Sequence, residues 1–215
     1  SFFTIPFTSE LIGFCDRASI YISAEKKPKV KRLSYFFLVF GIAFVCFVPL
    51  FLYVWPMNFF GDSYDELCAQ LIGKRSTHHT VIHGLLLRTF YQFGLKHGSP
   101  AFGMQFLTIL QMVLLAVSIA YFALYLYDKN VPRAVRVFLV CLSILNPVNA
   151  YYAVTSEKGT MGISLAFVGL VLLLRLIEID KEEAPKGKWL IYAAAFVLVS
   201  ASGCLFRNNL IYAFL

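Results

Sequence analysis

The sequence predicts an all-α protein: a polytopic transmembrane helical bundle with amphipathic helices in its first extracytoplasmic loop. Three observations carry that expectation. Of the 215 residues, 59% are hydrophobic and only 14% are charged, whereas a soluble domain has roughly 45–50% apolar and roughly 25% charged residues. The apolar residues gather in runs close to the roughly 20 that cross a bilayer as one helix. The basic residues fall in the gaps between those runs and are biased to alternate gaps, as topology-setting charge is. The net charge of +7 is therefore read as a sidedness signal, which excludes nucleic acid as a partner.

Taken in order, residues 1–33 form an interfacial or cytoplasmic N-terminal segment, with Phe2, Phe3, Ile5, Phe7 and Leu11 set among polar residues. Spans follow at 34–55, 101–127, 135–153, 160–177 and 189–215, the last expected to be truncated. Between them lie an extracytoplasmic loop at 56–100, a cytoplasmic loop at 128–134, an outer turn at 154–159 and a cytoplasmic loop at 178–188. Lys26, Lys27, Lys29, Lys31, Arg32, Lys129, Arg133, Arg136, Arg175, Lys181, Lys186 and Lys188 fall on one side, against Lys74, Arg75, Arg88, Lys96 and Lys158 on the other. The positive-inside rule makes the first group cytoplasmic. The chain opens at Ser1 and closes inside an apolar stretch, so it reads as an excerpt of a longer protein. Five cysteines without a Cys-x-x-Cys spacing carry neither a disulfide framework nor a zinc site.

The long loop has its own pattern. Ser63-Tyr64-Asp65-Glu66 has the Ser-x-x-Glu form of a capping box, ahead of Leu67, Leu71 and Ile72. Ile82, Leu85, Leu86, Thr89, Phe90 and Phe93 then recur at helical spacing. Two membrane-surface helices, joined through Gly73 to Thr77, are expected there.

Asp62, Asp65 and Glu66 form the one acidic cluster on the outer side. Carboxylates crowded near a low-dielectric boundary repel one another and favour a general base or a cation site, while the same residues in a first helical turn serve as caps that meet the helix dipole. His78, His79 and His83 follow, with His79 and His83 four apart on one helix face. That spacing suits a divalent metal or contacts to substrate, and the absence of a His-Glu-x-x-His pattern points away from a metal site. Asn146-Pro147 interrupts the third span as a kink. Glu157-Lys158 sits in a short outer turn. Arg207, Asn208 and Asn209 arrive near the outer interface within an apolar segment; an intramembrane arginine usually faces a polar cavity or an anion, of which phosphate is the natural one.

These features together resemble the GT-C superfamily of membrane glycosyltransferases. They are similar, more closely, to a family of bacterial polytopic proteins whose first outer loop reads approximately Asp-Ser-x-x-Gln and then His-His-Pro-x-x-His. The matching residues are Gly61-Asp62-Ser63-Tyr64-Asp65-Glu66 and His78-His79-Thr80-Val81-Ile82-His83, followed by Gly98-Ser99-Pro100 and Arg207-Asn208. Thr80 stands where that pattern has proline, and Glu66 where it has an amide. The resemblance implies a GT-C-like fold, a polyprenyl-phosphate-linked sugar donor, and membrane lipids as surroundings in a bacterial cytoplasmic membrane. It assigns the catalytic carboxylate to Asp62, with Asp65 the alternative. Glu66, His78, His79, His83, Lys158, Arg207 and Asn208 would then contact substrate. No cofactor is expected, a divalent metal at the histidines being the alternative. Two rival functions stand beside this one: a transporter or flippase of a lipid-linked or anionic solute, and a non-catalytic assembly subunit.

Overall fold

The computed structural model describes residues 31–73, 81–179 and 186–214. Within them the chain is helical, with α1 Arg32–Val54, α2 Gly61–Leu71, α3 Val81–Lys96, α4 Pro100–Asp128, α5 Arg133–Leu145, α6 Pro147–Val154, α7 Lys158–Ile177, α8 Lys186–Phe206 and, after a 3₁₀ turn at Asn208–Leu210, α9 Ile211–Phe214. Among the described residues there is no strand, only an isolated parallel bridge between Asn58 and Thr155. His78 and His79, and the Gly73 to Thr77 connection beyond Gly73, lie outside the described residues, as does the N-terminal segment as far as Val30.

Four helices, α1, α4, α7 and α8, are long and apolar enough to cross a membrane, and α5 with α6 makes a fifth if the bent pair is one span. The bend is 48°, and its cause is legible. Pro147 opens α6 with no N–H to give the Ser143 carbonyl, which accepts instead from the Asn149 side-chain amide at 2.7 Å, while the Asn146 side chain caps α6 by accepting from the Val148 N–H at 3.0 Å.

Helix α4 is the axis of the bundle, packed against α1, α3, α5, α6 and α7. Its Met112, Ala116, Ile119, Ala120 and Ala123 meet Val39, Ala43 and Phe47 of α1, which recur every four residues as one stripe. The alanines let α1 approach closely, as small residues do between membrane helices. The rest of α1 faces outward, with Phe37, Leu38, Ile42 and Val45 exposed, and α8 does the same with Leu190, Ile191, Val197 and Leu198. Continuous apolar faces of that kind need hydrocarbon around them. This is the architecture of a multi-pass membrane protein.

The α3–α4 hairpin depends on two glycines. A Cβ on Gly103 would lie 1.8 Å from the Phe90 carbonyl oxygen, and one on Gly94 would lie 2.6 Å from the Gly103 nitrogen. No side chain fits between these backbones, so the hairpin closes only with glycine at both places. Below that contact a second core forms from Leu87 of α3, Met104 and Leu107 of α4, Leu67 of α2, Met161 of α7 and Met57.

The bundle has two polar ends. The start of α1, the end of α4, the start of α5 and the end of α7 share one, the basic end, because Asp128 binds both Arg32 and Arg175 and because Arg136 lies over Tyr35 and Tyr127. The opposite end gathers α2, α3, the α6–α7 turn and the end of α8. There the Ser156 N–H donates to Asn58 O at 2.9 Å, the Asn58 N–H donates to Val154 O at 3.0 Å, and the Thr108 hydroxyl donates to Pro56 O at 2.8 Å.

Candidate functional site

Helix α2 starts three residues earlier than a capping box at Ser63–Glu66 would require. Phe60 precedes it, without a side-chain cap. Ser63 and Glu66 are instead turned into the bundle and buried, where each finds a tertiary partner. The Ser63 hydroxyl donates to Ser156 O, and the Phe60 N–H donates to the Ser156 hydroxyl at 3.3 Å. Helix α2 is thereby docked by its first turn onto the turn between α6 and α7. Asp62 and Asp65 are exposed.

Glu66 reaches His83 of α3, its Oε2 lying 2.9 Å from the histidine Nδ1, with the two side chains 3% and 0% exposed. The pair is enclosed: in this structure Glu66 and His83 bind each other rather than a surface that a substrate could reach. Gly84 makes the contact sterically feasible, since a Cβ there would lie 3.0 Å from Glu66 Oε1 and 2.9 Å from Gln70 Cγ. Among the described residues, Glu66 Oε1 and His83 Nε2 have no hydrogen-bond partner, and neither does the amide of Gln111, which is fully buried on α4. One helical turn separates His83 from Leu87 and Gln111 from Leu107, and both leucines belong to the second core. Buried polar atoms of this kind ordinarily have partners, so Gln111 is the residue that an inspection for polar groups inside an apolar span would have added to the candidates.

Arg207 follows α8 and is exposed. Its backbone N–H donates to Gly203 O at 3.1 Å. Its side chain runs along the first turn of α7: a Cβ on Gly159 would lie 3.0 Å from Arg207 Nη1, and one on Gly162 would lie 3.1 Å from Arg207 Cβ. Glu157 caps α7, accepting from the Gly159 N–H at 3.2 Å, so its carboxylate and the guanidinium flank the same glycine. Lys158 opens α7 and is half-buried. Asn208 opens the 3₁₀ turn, and its side chain lies outside what is described. The turn 155–159 is thus met at Ser156 by the first turn of α2, which carries Asp62, and at Gly159 by Arg207.

Among the described residues, no group of three or more His, Cys, Asp or Glu side chains is arranged to hold a metal ion. An apolar groove of about 330 Å³ runs between α3 and α4, lined by Thr89, Phe90, Phe93 and Phe106.

The basic end carries a second polar constellation that motif reading passed over. Asp128 Oδ2 accepts from Arg32 at 2.8 Å and from Arg175 at 2.6 Å. The Arg175 guanidinium lies over Tyr121 and Tyr125, 5.5 Å from each ring. Glu178 accepts from Lys129 at 2.6 Å and from the Tyr125 hydroxyl at 2.8 Å. Partial burial pushes the Glu178 carboxyl up, but the bonds from Lys129 and Tyr125 outweigh it and hold the group below its usual range.

Fold and site together define a class: an all-α, multi-pass membrane protein with a polar cluster at each end of the bundle. Beyond that class, the chain matches no family model, no curated protein and no solved structure.

Proposed function

We propose that the protein is a GT-C-like glycosyltransferase, transferring sugar from a polyprenyl-phosphate-linked donor at the extracytoplasmic face of a bacterial cytoplasmic membrane. The observation that carries this reading is the shared turn 155–159. Ser63, next to exposed Asp62 in the first turn of α2, bonds to Ser156 of that turn, and the Arg207 guanidinium lies against Gly159 of it. A phosphate-leaving glycosyl transfer needs those two groups. Asp62, or Asp65 in its place, takes the proton of the acceptor hydroxyl as that oxygen attacks the anomeric carbon. The bond from that carbon to the phosphate oxygen breaks, and the polyprenyl phosphate leaves with the electron pair. Arg207 and Lys158 stabilise the charge that develops on it.

The groove between α3 and α4 offers an apolar surface to the donor's tail. Glu66 and His83 act as a positioning pair, holding α2 against α3 so that Asp62 faces outward. The basic end is then cytoplasmic, as the positive-inside rule requires.

The test uses the full-length protein with membrane-extracted polyprenyl-phosphate sugars. Asp62→Asn keeps shape and removes the base, so it should fold, bind donor and lose about 10²-fold or more in rate. Arg207→Ala should weaken donor binding together with turnover, because its charge serves ground state and transition state alike. Normal transfer by both variants overturns the reading. Loss confined to Asp65→Asn moves the base three positions along the chain. A transporter or flippase is the second reading, and the unpartnered Gln111 amide inside a membrane-length helix favours it. Solute flux lost in Gln111→Leu, with transfer absent from the wild type, would select that reading.

A further inference from the structure

Arg136 and Arg175 occupy matching surroundings at the basic end, and among the described residues only one of them has an anion. Arg175 lies over two tyrosine rings and binds Asp128. Arg136 also lies over two rings, 5.1 Å from Tyr127 and 5.8 Å from Tyr35, and those rings stack on each other at 4.6 Å. It is more than nine-tenths buried at 8% exposure. Yet its Nε and Nη1 have no acceptor, and among the described residues it forms no ion pair.

Ring faces attract a cation, but they do not accept the in-plane N–H bonds of a guanidinium. A desolvated charge with open donors costs far more than a cation–π contact returns. The backbone sharpens the deficit. Arg136 lies in the first turn of α5, a helix of 13 residues that begins on Pro132 without a side-chain cap. Helical side chains lean toward the N-terminus, so this guanidinium points to the positive end of its own helix, where the dipole disfavours a cation and favours an anion. The Arg133 side chain arises from the same turn.

We propose that the corner between α4 and α5 binds the phosphate of an anionic membrane lipid, with the Arg136 guanidinium and the first turn of α5 as its donors. The phosphate supplies for Arg136 what Asp128 supplies for Arg175. A lipid is the source because the site sits at the end of membrane-length helices, at the basic end, where anionic headgroups collect around cationic side chains between helices. Helix α5 itself exposes Val135, Val137, Phe138 and Leu142 beside the site, a surface suited to acyl chains. Nothing in this proposal depends on the transferase reading.

The test is thermal unfolding of the purified, delipidated full-length protein titrated with phosphatidylglycerol, phosphatidylcholine or inorganic phosphate. Phosphatidylglycerol should raise the midpoint of the wild type and phosphatidylcholine should not. Arg136→Gln should bind phosphatidylglycerol at least about tenfold more weakly, while Lys129→Gln keeps the response. Arg136→Lys retains charge without the guanidinium fork and should fall between. An equal response in Arg136→Gln overturns the site, and a full response to inorganic phosphate alone overturns the lipid as its source. If Arg136→Gln does not fold, native mass spectrometry of the wild type decides. A retained anionic phospholipid that Arg136→Lys sheds more readily supports the proposal, and its absence overturns it.

Discussion

The two ends of the bundle handle buried charge in opposite ways. At the α2–α3 end a carboxylate and an imidazole shut each other off from solvent, 3% and 0% exposed, with one atom on each left unpartnered. At the basic end the ion pairs are more open, 57% and 22% exposed for Arg32–Asp128, 12% and 22% for Arg175–Asp128 and 42% and 35% for Lys129–Glu178, with tyrosine rings beneath Arg136 and Arg175. The first arrangement holds helices in register, because breaking a buried pair leaves an uncompensated polar group in a dry place. The second can exchange partners with water, lipid or ions at modest cost. A buried pair thus locates a joint of the fold, and a rim cluster locates a surface that meets the environment.

The largest expected effect comes from breaking the joint. Glu66→Ala should lower stability by about 3–5 kcal/mol, with His83 left enclosed and alone. Denaturation in detergent measures it, and adding His83→Ala to that variant should recover part of the loss through a double-mutant cycle. A loss below about 1 kcal/mol would erase the contrast between the ends.

An intermediate effect is expected at Asp128, whose carboxylate serves two arginines. Asp128→Asn should cost about 1.5–3 kcal/mol, the range for hydrogen bonds to charged groups, and it would leave Arg175 in the condition of Arg136. If Asp128→Asn proves as damaging as Glu66→Ala, the basic end is a second joint rather than a rim.

The smallest effect belongs to Lys129 and Glu178. With both partners more than a third exposed, solvent screening keeps Lys129→Gln under about 1 kcal/mol. Its sign with pH is fixed: a carboxyl held below its usual value contributes stability above that value and loses it as pH falls through the depressed one. Wild type should therefore lose its small advantage over Lys129→Gln below about pH 4.5, the ordinary carboxylate value. A difference that persists unchanged at pH 3 would show that packing, not charge, carries it.

Much of the architecture is local, and that part was legible. Apolar runs of membrane length become helices because each satisfies its own backbone, wherever the neighbours lie. The amphipathic spacing of the loop yields α2 and α3, and Asn146-Pro147 breaks its span because proline lacks the N–H. The exposed residues of the acidic cluster, Asp62 and Asp65, could likewise be named from position. Gln111 was within reach as an amide deep in an apolar helix.

Pairing is where tertiary structure took over. Ser63 and Glu66 have the spacing of a cap, but Ser156 and His83, 93 and 17 positions away, turn both inward once α2 docks. Arg136 in a first turn and Arg175 in a last turn differ locally in dipole alone; Asp128 reaches Arg175 because α4 ends beside α7. The sequence by itself determined which segments are helices and which of their faces require hydrocarbon, since those follow from backbone satisfaction and apolar area within a single segment. Only the tertiary structure decided which polar groups are enclosed, which are paired and which still lack an anion, because each depends on the distance between helices that the chain brings together from far apart.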